Sequence, residues 1–127
     1  MGSMSEKFNH KLLRMWRLST LESVRSNEPD LTMRQMSVLL EVYMTEPPHT
    51  VRGLAVKLNV TKPVITRALD TMAKYGFIKR KPDDNDKRSI FVQRTVKGAV
   101  YLSELSDRIV KSEKISDADD QSVDAVA

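Results

Sequence analysis

Residues 50–89 read TVRGLAVKLNVTKPVITRALDTMAKYGFIKRKPDDNDKRS, and this stretch decides the fold. Apolar residues recur in it twice at the spacing of an amphipathic helix, first at Val51, Leu54, Ala55 and Leu58, then at Ile65, Ala68, Leu69 and Met72. A short turn at Asn59-Val60 separates the two segments. Two helices joined in this way are typical of a helix-turn-helix.

The second of these helices has sequence signals at both ends. Thr61 is placed to cap it, and Pro63 falls in its first turn, where a missing N–H does no harm. Gly76 is expected to end it in the left-handed conformation. Directly afterwards, the segments 77–81 and 89–94 flank a run of turn-forming residues, which predicts a β-hairpin. A hairpin in this place predicts a winged helix-turn-helix.

The chain on the N-terminal side of this unit is predicted to be helical. An apolar face that begins at Phe8 predicts a helix over residues 6–26, which ends before Glu28-Pro29-Asp30. Thr32 and Gln35 have capping-box spacing, so a second helix begins there and stops at Pro47-Pro48. We expect His49 and Thr50 to form a short extended piece that pairs with the wing.

The expected fold class is mainly α with a small β-hairpin wing (α+β), a winged helix-turn-helix with five main helices. Thr95 caps the fifth helix, over residues 96–112. The domain is expected to cover residues 6–114. Residues 1–5, which begin Met1-Gly2-Ser3, resemble a tag remnant with a disordered start. Residues 115–127 are acidic and small, and we expect them to be a disordered tail.

Positive charge is concentrated in the middle of the chain. The formal net charge is +4, and residues 57–94 hold ten bases and four acids, a net of +6. Residues 115–127 hold four aspartates and no base. A basic centre beside an acidic end is typical of a protein that binds a polyanion such as DNA.

The outward face of the second helix of the pair carries the residues expected to read DNA. They are Thr61, Lys62, Pro63, Val64, Thr66 and Arg67. The Arg67 guanidinium can bond both acceptors of a guanine, and the methyl groups of Val64 or a threonine can contact a thymine methyl. Thr61, Thr66 and the helix N-terminus suit phosphate oxygens.

The hairpin tip carries Asp86, Lys87 and Arg88. Lys87 or Arg88 can enter a narrow minor groove, where the negative potential is enhanced. Asp86 either orients the Arg88 guanidinium or only stabilises the turn through an ion pair. Thr50 and Lys81 are further candidates for phosphate contacts.

Several function classes are not indicated. No apolar run approaches the roughly 18 residues of a membrane span and no signal peptide is evident, so we expect a cytoplasmic protein. The chain has no cysteine, and its histidines, His10 and His49, stand apart, so we expect no metal site. No nucleophile elbow, phosphate loop or acid–base pair indicates an enzyme, and we expect no catalytic residues and no cofactor.

From Leu31 to about Leu105 the chain resembles the multiple antibiotic resistance regulator (MarR) family of bacterial transcription factors. The resemblance rests on the quoted stretch and on RTVKGA at residues 94–99. The matching motifs are Leu54-Ala55, Thr61-Lys62-Pro63, Lys74-Tyr75-Gly76-Phe77-Ile78, Asp86-Lys87-Arg88 and Thr95-Val96-Lys97-Gly98.

The resemblance implies a homodimer that represses transcription from a palindromic operator in double-stranded DNA. It implies that Arg88 enters the minor groove and that helices 6–26 and 96–112 form the dimer. It also implies release of the DNA by a small, often aromatic, effector. Trp16, Met15 and Leu12 are the candidates for this ligand site or for the dimer surface.

Two features depart from the family pattern. The chain has room for one long C-terminal helix where members usually have two, so the dimer could be smaller and the ligand cleft incomplete. Gly53 replaces a polar residue that usually precedes Leu54-Ala55. An alternative function is a winged-helix module that binds protein and not DNA, and the salt dependence of DNA binding discriminates between the two.

Overall fold

The computed structural model describes the backbone of residues 8–126 and the side chains of residues 8–118. The expected tag remnant lies outside these residues. The described part holds α1 (His10–Arg25), α2 (Met33–Met44), β1 (His49–Thr50), α3 (Val51–Leu58), α4 (Lys62–Lys74), β2 (Ile78–Pro82), β3 (Ile90–Arg94) and α5 (Val96–Val126). The five helices and small antiparallel sheet confirm the predicted winged helix-turn-helix fold.

The described residues form two compact units. The first, Leu31–Tyr101, contains α2, α3, α4, the sheet and the first turns of α5. The second contains α1 with the residues up to Asp30 and the remainder of α5 from Leu102. None of the described helices has the length and apolarity needed to cross a bilayer.

The first two helices begin at side-chain caps. The Asn9 side chain accepts a hydrogen bond from the Leu12 N–H at 3.0 Å, so α1 begins at His10, later than predicted. The capping box predicted for α2 is confirmed. Thr32 Oγ1 accepts from the Gln35 N–H at 3.1 Å, and Gln35 Oε1 accepts from the Thr32 N–H at 2.9 Å.

The core of the Leu31–Tyr101 unit is built from the apolar stripes of three helices and the inner face of the sheet. The stripe predicted on α4 is buried throughout. The buried side chains are Val38, Leu39 and Val42 of α2, Leu54 and Ala55 of α3, Ile65, Ala68, Leu69 and Met72 of α4, with Phe77, Ile78, Val92 and Tyr101. This core fixes which face of α4 is turned outward.

The end of α4 determines where the hairpin begins. Gly76 has φ +77°, the left-handed conformation predicted for it. The Phe77 N–H donates to the Met72 carbonyl at 2.9 Å, which closes the helix end. Because this bond occupies the Phe77 amide, β2 begins at Ile78 and not at Phe77.

The three strands form one antiparallel sheet in the order β1-β3-β2. β2 and β3 are the predicted hairpin, in which Lys79 lies opposite Gln93 and Lys81 opposite Phe91. The extended piece expected at His49–Thr50 is present as β1 and pairs with β3. The sheet therefore connects the segment directly before the helix-turn-helix with the wing.

Tyr43 joins α2 to the segments on either side of the wing. Its hydroxyl donates to the Phe77 carbonyl at 2.6 Å and accepts from the Thr95 N–H at 2.9 Å. Thr95 Oγ1 in turn accepts from the Gly98 N–H at 3.0 Å, which confirms it as the cap of α5. A Cβ on Gly98 would overlap both the Tyr43 hydroxyl and the Phe77 carbonyl. Only glycine fits at this position.

The prediction that α5 ends near Ser112 and that a disordered tail follows is wrong, because α5 continues to Val126. Residues 99–127 contain no Gly or Pro to interrupt it. Ser112 and Ser116 are buried, and Ser116 Oγ donates to the Lys11 carbonyl of α1 at 3.2 Å. Asp117 pairs with the Lys11 ammonium at 2.9 Å. Small side chains let α1 pack against this part of α5, a contact that the acidic composition conceals.

Candidate nucleic-acid interface

The two faces of α4 differ in exposure as the sequence predicts. Ile65, Leu69 and Met72 are fully buried, so the helix is anchored along one side. Val64 is half-buried, and the other candidate residues are exposed: Thr61, Lys62, Pro63, Thr66 and Arg67. The N-terminal half of α4 therefore presents a polar and basic surface to solvent.

Thr61 is at the N-cap position of α4 but does not cap it. Its backbone is extended, with φ −79° and ψ 159°, yet its side chain makes no capping hydrogen bond. The expected role of Thr61 as a side-chain cap is therefore corrected. Its hydroxyl and the first N–H groups of α4, which have no intrahelical partner, can face a phosphate.

Short-range hydrogen bonds close the turn at the wing tip, and the Arg88 side chain there is exposed. Asp86 Oδ1 accepts from the Arg88 N–H at 3.1 Å and lies 3.7 Å from Arg88 Nε. The Ser89 N–H donates to the Asp86 carbonyl at 2.9 Å. The Arg88 side chain is 87% exposed, and Lys87 is also exposed. Asp86 thus both stabilises the turn and lies beside the guanidinium, so the two interpretations of this pair are compatible.

An ion pair that the sequence reasoning missed joins α4 to the wing. Arg80 Nη1 of β2 donates to Asp70 Oδ1 of α4 at 2.7 Å. Arg80 alternates with Lys79 and Lys81 along β2, so it lies on the face opposite theirs. The sequence signal for this pair is the alternation along β2. It places Arg80 on the same face of the sheet as the buried Ile78, and that face packs against α4, so the Arg80 charge needs a partner on that helix.

The two further phosphate candidates have different surroundings. Thr50 Oγ1 caps α3 by accepting from the Gly53 N–H at 2.9 Å, so its remaining capacity is to donate its hydroxyl proton. Lys81 is exposed on β2 and lies opposite Phe91 of β3. A Cβ on Gly53 would lie 3.0 Å from Thr50 Oγ1, so glycine leaves this cap unobstructed.

A cleft of about 740 Å³ runs between the N-terminus of α2 and the side of α4. Arg67 and Val64 line it from α4, and Arg34 and the 82% exposed Met33 line it from α2. Arg67, which is exposed on α4, is therefore also part of this cleft.

The candidates for a ligand or dimer surface belong to the other unit. Leu12 is 55% exposed and Trp16 is 50% exposed on α1, while Met15 is half-buried. Leu12 and Met15 line a cavity of about 240 Å³ with Glu113 and Ser116 of α5. That volume lies below the usual range of small-molecule sites.

A helix-turn-helix with an exposed α4 face, followed by a basic hairpin, defines the winged-helix class of DNA-binding folds. The comparisons with known proteins agree with this class. Residues 31–90 match the model of the MarR family. No curated protein matches the chain.

Several solved structures have a similar fold. A mutant of S. aureus MepR is 19% identical with a TM-score of 0.69, and the match covers 94% of this chain and 93% of that one. A mutant of E. coli MarR complexed with operator DNA is 25% identical with a TM-score of 0.62, covering 82% and 71%. Transcriptional regulator Tm0710 from Thermotoga maritima is 22% identical with a TM-score of 0.59, covering 88% and 70%.

Proposed function

We propose that the protein is a sequence-specific regulator of transcription that binds double-stranded DNA through α4 and the wing. The observation that carries the proposal is the pairing of an anchored helix, whose outward residues are basic, with an exposed arginine at the tip of the next hairpin. The similarity to a MarR structure complexed with operator DNA supports it.

In this function α4 enters the major groove. Arg67 bonds a guanine edge through both of its terminal nitrogens, and Val64 contacts a thymine methyl. Thr61, Lys62 and Thr66 hold phosphates, with Pro63 fixing the first turn of the helix. Lys81 and the hydroxyl of Thr50 add phosphate contacts at the edges of the DNA interface.

The wing reaches the adjacent minor groove. Arg88, with Lys87 beside it, enters the groove, where the negative potential is enhanced, and Asp86 orients the Arg88 guanidinium. The Asp70–Arg80 ion pair keeps this hairpin at a set distance from α4.

The active form is a homodimer that represses by occupying a palindromic operator, with half-sites about one duplex turn, roughly 34 Å, apart. A dimer interface on α1 and α5 is supported by apolar side chains that are exposed in the monomer. They are Leu12, Leu13, Trp16, Val110 and Ile115. A small aromatic effector releases the protein from the DNA by binding the DNA-free form more tightly than the DNA-bound form.

Selection of bound duplexes from a random pool, with a light-scattering mass for the protein, tests the function. The proposal expects enrichment of a two-fold symmetric sequence and the mass of a dimer. A pool that remains random, or no retained duplex at about 50 mM salt, would instead favour a protein-binding module.

A further inference from the structure

The wing and the cleft of about 740 Å³ described above lie on the two sides of α4. The residues of α4 that line the cleft share one stripe of the helix, with the spacing i, i+3, i+4 and i+7: Val64, Arg67, Ala68 and Thr71. Asp70 pairs with Arg80 of the wing. At 3.6 residues per turn, Asp70 lies on the opposite side of Arg67 from Val64 and Thr71. Arg67 therefore separates a side of α4 that faces the wing from a side that faces α2.

The wall of the cleft that α2 forms carries an arginine without a partner. Arg34 lines this wall with Met33 and, one turn further along the helix, Ser37. The Arg34 side chain is exposed and makes no ion pair or hydrogen bond with any residue between 8 and 118. No acidic residue lines the cleft, so its charge comes from the guanidinium groups of Arg34 and Arg67. Such a surface attracts an anion.

The geometry of a duplex indicates which anion lies there. The major groove is only about 12 Å wide, so a helix inside it has a sugar–phosphate strand on each side. With α4 in the groove, the strand on one side meets the wing. The strand on the other side meets the cleft and the N-terminal turn of α2, where Arg34 lies.

We propose that Arg34 binds a backbone phosphate of the strand that borders the major groove on the side away from the wing. This inference rests on the proposed entry of α4 into that groove. The guanidinium donates two parallel hydrogen bonds to the phosphate oxygens. A phosphate contact carries no sequence information, so Arg34 contributes affinity and fixes the orientation of α4, whereas Arg67 contributes base preference.

Fluorescence anisotropy titrations of the full chain and its Arg34→Gln variant on the selected duplex test the inference. The variant changes an exposed side chain that has no partner, so the fold should be retained. Its affinity should fall about tenfold, with the same bases enriched from a random pool. Its slope of log affinity against log salt should become shallower by about 0.9 for each protomer. The matched control is Arg25→Gln, an exposed arginine in the last turn of α1, which should bind as the wild type does.

Duplexes in which one phosphate at a time is replaced by a neutral methylphosphonate locate the contact. One position in each half-site should weaken binding by the wild type and leave binding by Arg34→Gln unchanged. The inference is overturned if Arg34→Gln binds as the wild type does, if the two salt slopes are equal, or if every replacement affects both proteins alike. A wild type that retains no duplex would overturn the proposed function as well, so the two failures are distinguishable.

Discussion

Asp70 of α4 and Arg80 of β2 are held 2.7 Å apart, carboxylate oxygen to guanidinium nitrogen, and so connect α4 to the wing. Their side chains are 58% and 32% exposed. An ion pair this open to water contributes only about 0–1 kcal/mol to folding. We therefore expect the pair to act mainly on geometry, through the position of the hairpin relative to the helix beside it.

The variant Asp70→Asn tests this geometric role. Removing a negative charge near DNA should by itself tighten binding, so a several-fold loss of affinity would isolate the effect of releasing the wing. Adding Arg88→Ala should then cost less than it does in the wild type, since both changes act through the wing. Affinities from fluorescence anisotropy would give the double-mutant cycle, and strictly additive losses would contradict the account.

Arg67 and Arg88 should differ in what they contribute to recognition. Arg67→Ala should cost about 1–3 kcal/mol on the preferred duplex and relax base preference at one position of each half-site. Arg88→Ala should weaken binding to all duplexes with less effect on the major-groove bases. Binding to a panel of single-base variants distinguishes the two patterns. Unchanged preference in Arg67→Ala would refute its assignment.

Gly98→Ala should destabilise the fold by about 1–3 kcal/mol, because its Cβ would overlap the Tyr43 hydroxyl and the Phe77 carbonyl. The direction is diagnostic, since replacing glycine with alanine inside a helix ordinarily stabilises it by about 1 kcal/mol. Urea unfolding followed by circular dichroism measures the change. A more stable variant would show that Tyr43 moves aside without cost.

Glu104 gives the protein a dependence on pH. A side-chain hydrogen bond with Glu28, and then repulsion between the two carboxylates, raise the pKa of Glu104 above its usual value, against the attraction of Arg108. The folded chain therefore holds this proton more tightly than the unfolded chain. The stabilisation is complete below about pH 4.3 and is lost as pH rises through the raised pKa.

The variant Glu104→Gln keeps a hydrogen-bonding side chain and removes the repulsion. It should raise the urea midpoint at pH 7 and leave it nearly unchanged at pH 4. Glu113→Gln, another exposed glutamate of α5, is the control for loss of one negative charge. Equal shifts in both variants at pH 7 would show that net charge, and not the Glu28 contact, is responsible.

The elements that the sequence predicts best are those determined by local periodicity and capping. The stripe of α4 repeats at helical spacing, and the Thr32–Gln35 box begins α2 as expected. The predicted start of α1 is wrong. The apolar pattern begins at Phe8, but the Asn9 side chain caps the helix, so α1 begins at His10. A cap competes with periodicity, and periodicity alone does not show which prevails.

Contacts between elements distant in the chain were not predictable in the same way. The acidic composition after residue 115 indicated disorder, but Ser112 and Ser116 allow α1 to pack closely. The Asp70–Arg80 pair requires knowing how a strand crosses a helix. The exposure of the candidate residues on α4 is predictable, because it follows directly from which side of the helix is apolar.

The salt dependence of binding to the selected duplex tests the central claim most directly. Counterion release gives a slope of about −0.9 in log affinity against log salt for each phosphate neutralised. The account predicts a slope steeper than about −4 for the dimer, and a shallower slope for Lys62→Ala. A slope near zero, or no binding to any duplex at about 50 mM salt, would contradict it.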